Sequence, residues 1–255
     1  MSAFLGPIHF WLYEKIGNQE LLTNEVAECA RANGWVPDAD RYTKFLPPLE
    51  TVIDENNIHG WLQAQITDAE TRYASLVSEI LSEEGKRLED LCEAAWQFGR
   101  ERALKVKSAE EVYNAFEDFF VNGMPCDRVN AVTESSAEKI SWEMMQDIHA
   151  SYWNGDSSPY YVIRKSVMEG MLAETGFKLS SADDAHYSII TRNSCNIKLY
   201  DARNCPCLNV ACDLYKKCDE CVKRHHASHR FPLTACEICK KEGCDKADPR
   251  VYKND

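Results

Sequence analysis

The chain has 255 residues, 44% hydrophobic and 10% aromatic, which is enough for one sizeable core with a small satellite unit and too apolar for a wholly disordered chain. Its longest apolar run is far short of the roughly 18 to 20 residues of a membrane helix, so no membrane span is expected. The net charge of −12 is uneven: residues from Lys198 onward sum to +3 and the remainder to −15, and so acidic a body argues against nucleic acid and anionic membrane as partners.

The segment Met1 to Ile16 is apolar, has no basic leader and contains Pro7 and His9, so it reads as a docked helix of a cytoplasmic protein rather than a signal peptide. A first helix is expected over about Phe4 to Ile16, and a second from a cap at Thr23 or Asn24 to a stop at Gly34. Pro37 and Pro47-Pro48 bracket a loop. Leu62, Ile66, Ala69, Tyr73, Leu76 and Ile80 then alternate spacings of four and three, a heptad seam that serves either an internal helix pair or a homodimer. Gly85 breaks or bends that helix, and Leu88, Leu91, Ala95 and Phe98 resume the pattern. Ser108 and Glu111 form a capping box ahead of Val112, Phe116 and Phe119, and that helix ends around Asn122-Gly123 and Pro125. A second box, Ser135 to Glu138, predicts a helix with Trp142, Met145, His149 and Tyr152 on one face, and Ser158-Pro159 opens another that Gly176 closes. The body thus holds about seven helices.

Beyond Lys178 the period changes to two. Tyr187 to Thr191 and Ile197 to Tyr200 read as the arms of a β-hairpin turning over Arg192 to Asn196. The expected fold is mainly α, with residues 1–202 a multi-helix domain ending in a short hairpin and residues 203–255 a small C-terminal cysteine-rich metal-binding module.

Nine of the twelve cysteines lie at or after Cys195, in C-x-C and C-x2-C pairs. In a reducing cytoplasm such clustering points to metal rather than to disulfides. The candidate ligands are Cys205, Cys207, Cys212, Cys218, Cys221, His225, Cys236, Cys239 and Cys244, more than one tetrahedral ion can use, so one or two zinc ions are expected. An iron–sulfur cluster is the alternative, although no C-x2-C-x2-C-x3-C-P run is present. A segment so poor in apolar residues has little to offset a backbone entropy cost of roughly 1 to 2 kcal/mol per residue without a metal.

Cys205-Pro206-Cys207, Cys212, Cys218-Asp219-Glu220-Cys221, His225 and Pro232 ahead of Cys236 together resemble the framework of a family of short, uncharacterised cysteine-rich bacterial proteins over residues 203–237. That family has a further cysteine where Asp219 stands and a shorter spacing than Pro232 to Cys236. The resemblance implies a compact module and a prokaryotic, anaerobic source, and it assigns no reaction.

In the body, His149 beside Trp142, Met145 and Tyr152 can ligate a cofactor or move a proton, or serve as a hydrogen-bonded core residue. His9 carries the same two readings, and Glu55 and His59, four apart, share a helix face, but no Glu-x-x-His motif supports a di-iron bundle. Cys126, in a loop beside Arg128, is a candidate reactive thiol. Tyr152, Trp153, Tyr160, Tyr161 and Arg164 form either a pocket for an anionic small molecule or an aromatic core with a surface arginine, while Cys29 and Cys92 read as packed small hydrophobes. Nucleotide-binding and hydrolase signatures are missing. The leading expectation is a metal-binding protein whose module has a structural or partner-binding role. The alternative is an enzyme or small-molecule binder, with His149, Arg164 and Cys126 as weak catalytic candidates.

Overall fold

Seven α-helices and a small four-stranded antiparallel sheet make up the regular structure of the computed structural model, which describes residues 5–83, 86–181, 183–192, 198–242, 244 and 246–252. The chain divides into two compact units, Met1–Thr175 with Leu179–Ile189 and Gly176–Lys178 with Ile190–Asp255. Among the described residues no helix is long and apolar enough to cross a membrane.

The first helix, α1 (Pro7–Ala32), runs unbroken where two helices are expected. Thr23 caps nothing. Its hydroxyl donates to the Gln19 carbonyl one turn back, at 2.9 Å, and the buried stripe continues through Leu22, Val26, Ala27 and Ala30. Gly34, at φ +69°, then ends the helix in the left-handed conformation that glycine adopts without penalty. The second helix, α2 (Ile58–Leu81), starts at Asn57, whose side chain accepts the Gly60 N–H. All six residues of its heptad seam are buried within the single chain, so the seam is internal rather than a dimer contact. Leu12 and Ile16 of α1 pack there against Ile58, Leu62 and Ile66, with Leu49 and Val121 closing the cluster. Arg72 of α2 ties the pair together through the Glu20 carboxylate of α1.

Gly85 lies outside the described residues; α3 (Arg87–Arg100) follows it with Leu91, Ala95 and Phe98 buried. Helix α4 (Ala109–Phe119) begins at the predicted cap: Ser108 Oγ accepts the Glu111 N–H at 3.2 Å, while the Glu111 carboxylate accepts the N–H of Lys107 rather than that of Ser108. Helix α5 (Ser158–Met171) has Pro159 in its first turn and stops well before Gly176. Gly99 of α3 and Gly170 of α5 let these two helices meet backbone to backbone. A Cβ on Gly99 would sit 2.2 Å from the Val167 carbonyl oxygen, and one on Gly170 would sit 2.1 Å from that of Trp96.

The helix expected from Ser135 is a β-hairpin, β1 (Asn130–Ser135) and β2 (Lys139–Met144), with Val132 opposite Trp142. The supposed capping box is the turn itself: Ser136 N–H donates to the Lys139 carbonyl, and Ser136 Oγ accepts the Lys139 N–H. Ile140 and Trp142 alternate with less buried neighbours, and this period of two outweighs a capping signal that is four residues long. Trp142 stacks on Tyr187, with centroids 5.4 Å apart. The one expected hairpin is paired differently. Strand β4 (His186–Thr191) exists, but its neighbours are β2 and the upstream β3 (Phe177–Ser181), in the order β1-β2-β4-β3. Lys198 to Tyr200 form no strand, and residues 193–197 lie outside the described residues. Among the described residues the body therefore has five α-helices rather than seven; the other two, α6 (Cys218–His226) and α7 (Ala235–Glu242), belong to the cysteine-rich unit.

Candidate metal centre

The second unit is built from short segments, several of which carry a cysteine. A 3-10 turn, Ala202–Asn204, leads into the extended stretch Cys205-Pro206-Cys207, where neighbouring side chains alternate between faces. That stretch is fixed from the C-terminal end: Ala247 N–H donates to the Pro206 carbonyl at 3.0 Å, and Leu208 N–H to the Ala247 carbonyl at 2.9 Å. Cys212 closes a turn, its Sγ accepting the Leu214 N–H at 3.4 Å, the bond through which a knuckle backbone stabilises sulfur charge. Cys218 and Cys221 stand three apart at the start of α6, and Cys236 and Cys239 three apart on α7, so each pair shares a helix face.

Helix α7 is held at its N-terminus by a capping box absent from the sequence expectations, although Thr234-x-x-Glu237 is readable. Thr234 Oγ1 accepts the Glu237 N–H, while the Glu237 carboxylate accepts both the Thr234 N–H and hydroxyl at 2.7 and 2.8 Å. The other oxygen of Glu237 lies 2.7 Å from His226 Nε2 and accepts the Tyr200 hydroxyl at 2.8 Å. Burial raises the pKa of Glu237, but the Thr234 N–H, His226, Tyr200 and the Thr234 hydroxyl outweigh it and hold the carboxyl at about 2.

Cys205, Cys218, Cys221 and Cys236, from three segments, line one cavity of about 20 Å3 with Tyr200 and Thr234 among its other walls. Cys207 and Cys244 pack instead against a small apolar cluster of Ala235, Ile238, Cys239 and Ala247. Burial pushes the Cys221 thiol up to about 11, with further contributions from Cys236, Cys207, Cys205 and Cys212; burial likewise raises Cys218 and Cys207. These thiols are thus protonated at neutral pH. Among the described residues, no group of three or more His, Cys, Asp or Glu side chains is arranged to hold a metal ion, and none of the described cysteines forms a disulfide. His225 lies outside the four-thiol cavity. Its Nδ1 is 2.8 Å from the Phe231 carbonyl, which fixes the ring and leaves Nε2 as the acceptor, the orientation of a histidine free to ligate. Cys195 lies outside the described residues.

The body candidates do not assemble into one site. His149 lies in a turn rather than on a helix, 2% exposed, with Nδ1 3.2 Å from the equally buried Glu70 and its ring stacked 3.8 Å from that of Tyr160. Arg164 is buried, its guanidinium 4.7 Å from the Phe120 ring, so the aromatics form a core and the arginine is part of it. Cys126 is exposed and its thiol faces Asp127 Oδ1 at 3.8 Å; no contact joins it to His149 or Arg164. Cys29 and Cys92 are half-buried, with burial raising both thiols. Glu70 escaped the sequence reading although it falls at helical spacing between Ile66 and Tyr73.

His9 and His59, fifty residues apart, meet with their Nε2 atoms 3.3 Å apart. That separation suits two ligands on one tetrahedral ion, for which Zn–N bonds of about 2.0 to 2.1 Å give about 3.3 to 3.4 Å. The Gly6 N–H, however, donates to His9 Nδ1 at 2.9 Å, which places the proton of a neutral ring on Nε2. The pair is hydrogen-bonded. Comparison of the chain with family models, with curated proteins and with solved structures finds no match.

Proposed function

We propose that the C-terminal unit is a thiolate metal module, zinc its expected ion, with Cys205, Cys218, Cys221 and Cys236 as the ligands of its main site. The observation that carries this reading is that Cys205, Cys218, Cys221 and Cys236, from three chain segments, line one cavity of about 20 Å3. That volume is close to one water-sized sphere, so it suits a single ion with four sulfurs around it. The four sulfurs must draw in to reach bonding distance, Cys205 from an extended stretch and the other three from the first turns of α6 and α7. Cys207, Cys212, Cys239, Cys244 and His225 are left as the donor set for a second ion. An iron–sulfur cluster in the four-thiol cavity is the alternative, since thiolates serve both.

The module's role is structural or partner-binding. Its apolar cluster is small, and metal binding is what offsets the entropy of ordering so many turns. The clustering of nine cysteines at or after Cys195 in C-x-C and C-x2-C pairs fits a metal module in a reducing, cytoplasmic setting. Anaerobic purification from a metal-replete host, then elemental analysis, acid-labile sulfide assay and a visible spectrum, tests the reading. Zinc in a colourless protein, lost in Cys218→Ser and Cys221→Ser, supports it. Iron with matching sulfide transfers the site to a cluster. A metal-free protein whose C-terminal unit resists proteolysis overturns both.

A further inference from the structure

Helix α1 places a lysine where its periodicity calls for an apolar side chain. Lys15 lies on the buried stripe with Leu12 and Ile16 and is 2% exposed. Its amine sits 4.2 Å from the centre of the Trp11 ring, and Trp11 is itself anchored by its indole N–H donating to Asp118 at 2.8 Å. Among the described residues the amine makes no hydrogen bond and no ion pair. It reaches a cavity of about 130 Å3 whose walls include Glu117, Asn122, Arg128 and Asn130.

The polar groups around that cavity are incompletely used. The amide nitrogens of Asn122 and Asn130 both donate to Glu117 Oε1, at 3.2 and 2.6 Å. Among the described residues their two carbonyl oxygens are buried without a partner, and Asn122 is only 8% exposed. Buried acceptors of this kind cost free energy unless water or a ligand supplies donors. The loop that forms the mouth is fixed: Met124 N–H donates to Asp127 Oδ2 at 2.8 Å, and Gly123, at φ +71°, leaves room for that carboxylate where a Cβ would stand 2.5 Å from it. Arg128, also at a positive φ, is an exposed guanidinium on the rim.

We propose that this cavity binds a small 2-oxo acid and that the Lys15 amine condenses with its carbonyl to form an imine. The lone pair of Nζ attacks the carbonyl carbon and the carbonyl π electrons pass to oxygen, which takes a proton from the nitrogen. The carbinolamine then loses its hydroxyl together with the second nitrogen proton as water, leaving C=N with no change of oxidation state. Arg128 pairs with the carboxylate, and the Asn122 and Asn130 carbonyl oxygens accept from the carbinolamine hydroxyl. Burial first, and the nearby Arg164 guanidinium, lower the Lys15 pKa to about 8 against the attraction of Glu117 and Asp118, so a sizeable fraction of the amine is neutral near physiological pH. At about 30 Å3 per water the cavity has room for about four waters, which limits the ligand to about three or four carbons.

The inference is independent of the metal module and is tested on the full chain. The protein is incubated with pyruvate and sodium cyanoborohydride, and the reduced adduct is located by peptide mass mapping. One adduct per chain at Lys15, formed at pyruvate concentrations about tenfold below those that label surface lysines, supports it. Arg128→Met, an exposed position, raises the pyruvate concentration for half-labelling about tenfold and leaves labelling by propanal unchanged. Labelling spread over surface lysines with none at Lys15 overturns the imine, whether or not a Lys15→Met variant folds. Equal loss of pyruvate and propanal labelling in Arg128→Met overturns the carboxylate contact.

Discussion

Single side chains carry much of what can be tested. Glu237 ties α7 to Tyr200 and His226 from a carboxylate whose pKa is depressed to about 2. A depressed carboxyl stabilises the folded form fully above its unfolded value, near 4.5, and loses that contribution as pH falls through 2. Acid unfolding of the C-terminal unit between those limits should therefore weaken in Glu237→Gln, followed by circular dichroism against pH. At the other half of the box, Thr234→Ala should lower stability by about 1 kcal/mol in urea titrations. In the body, Glu70→Leu strands buried His149 and should cost about 3 kcal/mol or more, whereas Glu70→Gln keeps an acceptor and should cost clearly less. Around that pair Tyr73 Oη, Trp153 Nε1, Tyr160 Oη and Arg164 Nε have no hydrogen-bond partner among the described residues, a concentration of buried polar atoms that ordered water can satisfy.

The elements that the sequence announced were those whose signal is long. Six seam positions in α2 and the amphipathic stripe of α3 outweigh local accidents, so those helices stand where periodicity puts them. Short signals failed. Ser135-x-x-Glu138 has the letters of a capping box, yet the strand alternation of Ile140 and Trp142 beside it won, and the partner of β4 proved to lie upstream because strand pairing depends on contacts far apart in sequence. The candidate site shows the same contrast: the cysteine spacings mark the segment, but which cysteines line a common cavity depends on how an extended stretch and two short helices fold together, and Lys15 and Glu70 are polar residues hidden at apolar spacing. Two glycines separate local from tertiary effects. Gly17 has open space where a Cβ would go, so Gly17→Ala should stabilise α1 by about 0.5 to 1 kcal/mol. Gly99→Ala drives a methyl into a backbone carbonyl and should cost about 3 kcal/mol, both read as midpoint shifts in urea.

At the scale of the whole molecule, the two units draw on different sources of stability. The first has an extended apolar core, and the second has a small cluster and many thiols. Heating should give two transitions, of which only the one belonging to the C-terminal unit shifts down when chelator removes the metal. Uptake of zinc into protonated thiols should also acidify a weakly buffered solution, by about one proton per thiol that becomes a ligand. The reciprocal glycine contact between α3 and α5 has a dynamic consequence. A helix seated with carbonyl oxygens against both Gly99 and Gly170 cannot slide by one residue, because either direction brings a Cβ where only hydrogen fits. The pair behaves as a riveted block, its amides among the slowest to exchange, and any breathing of the helical unit must pivot around it.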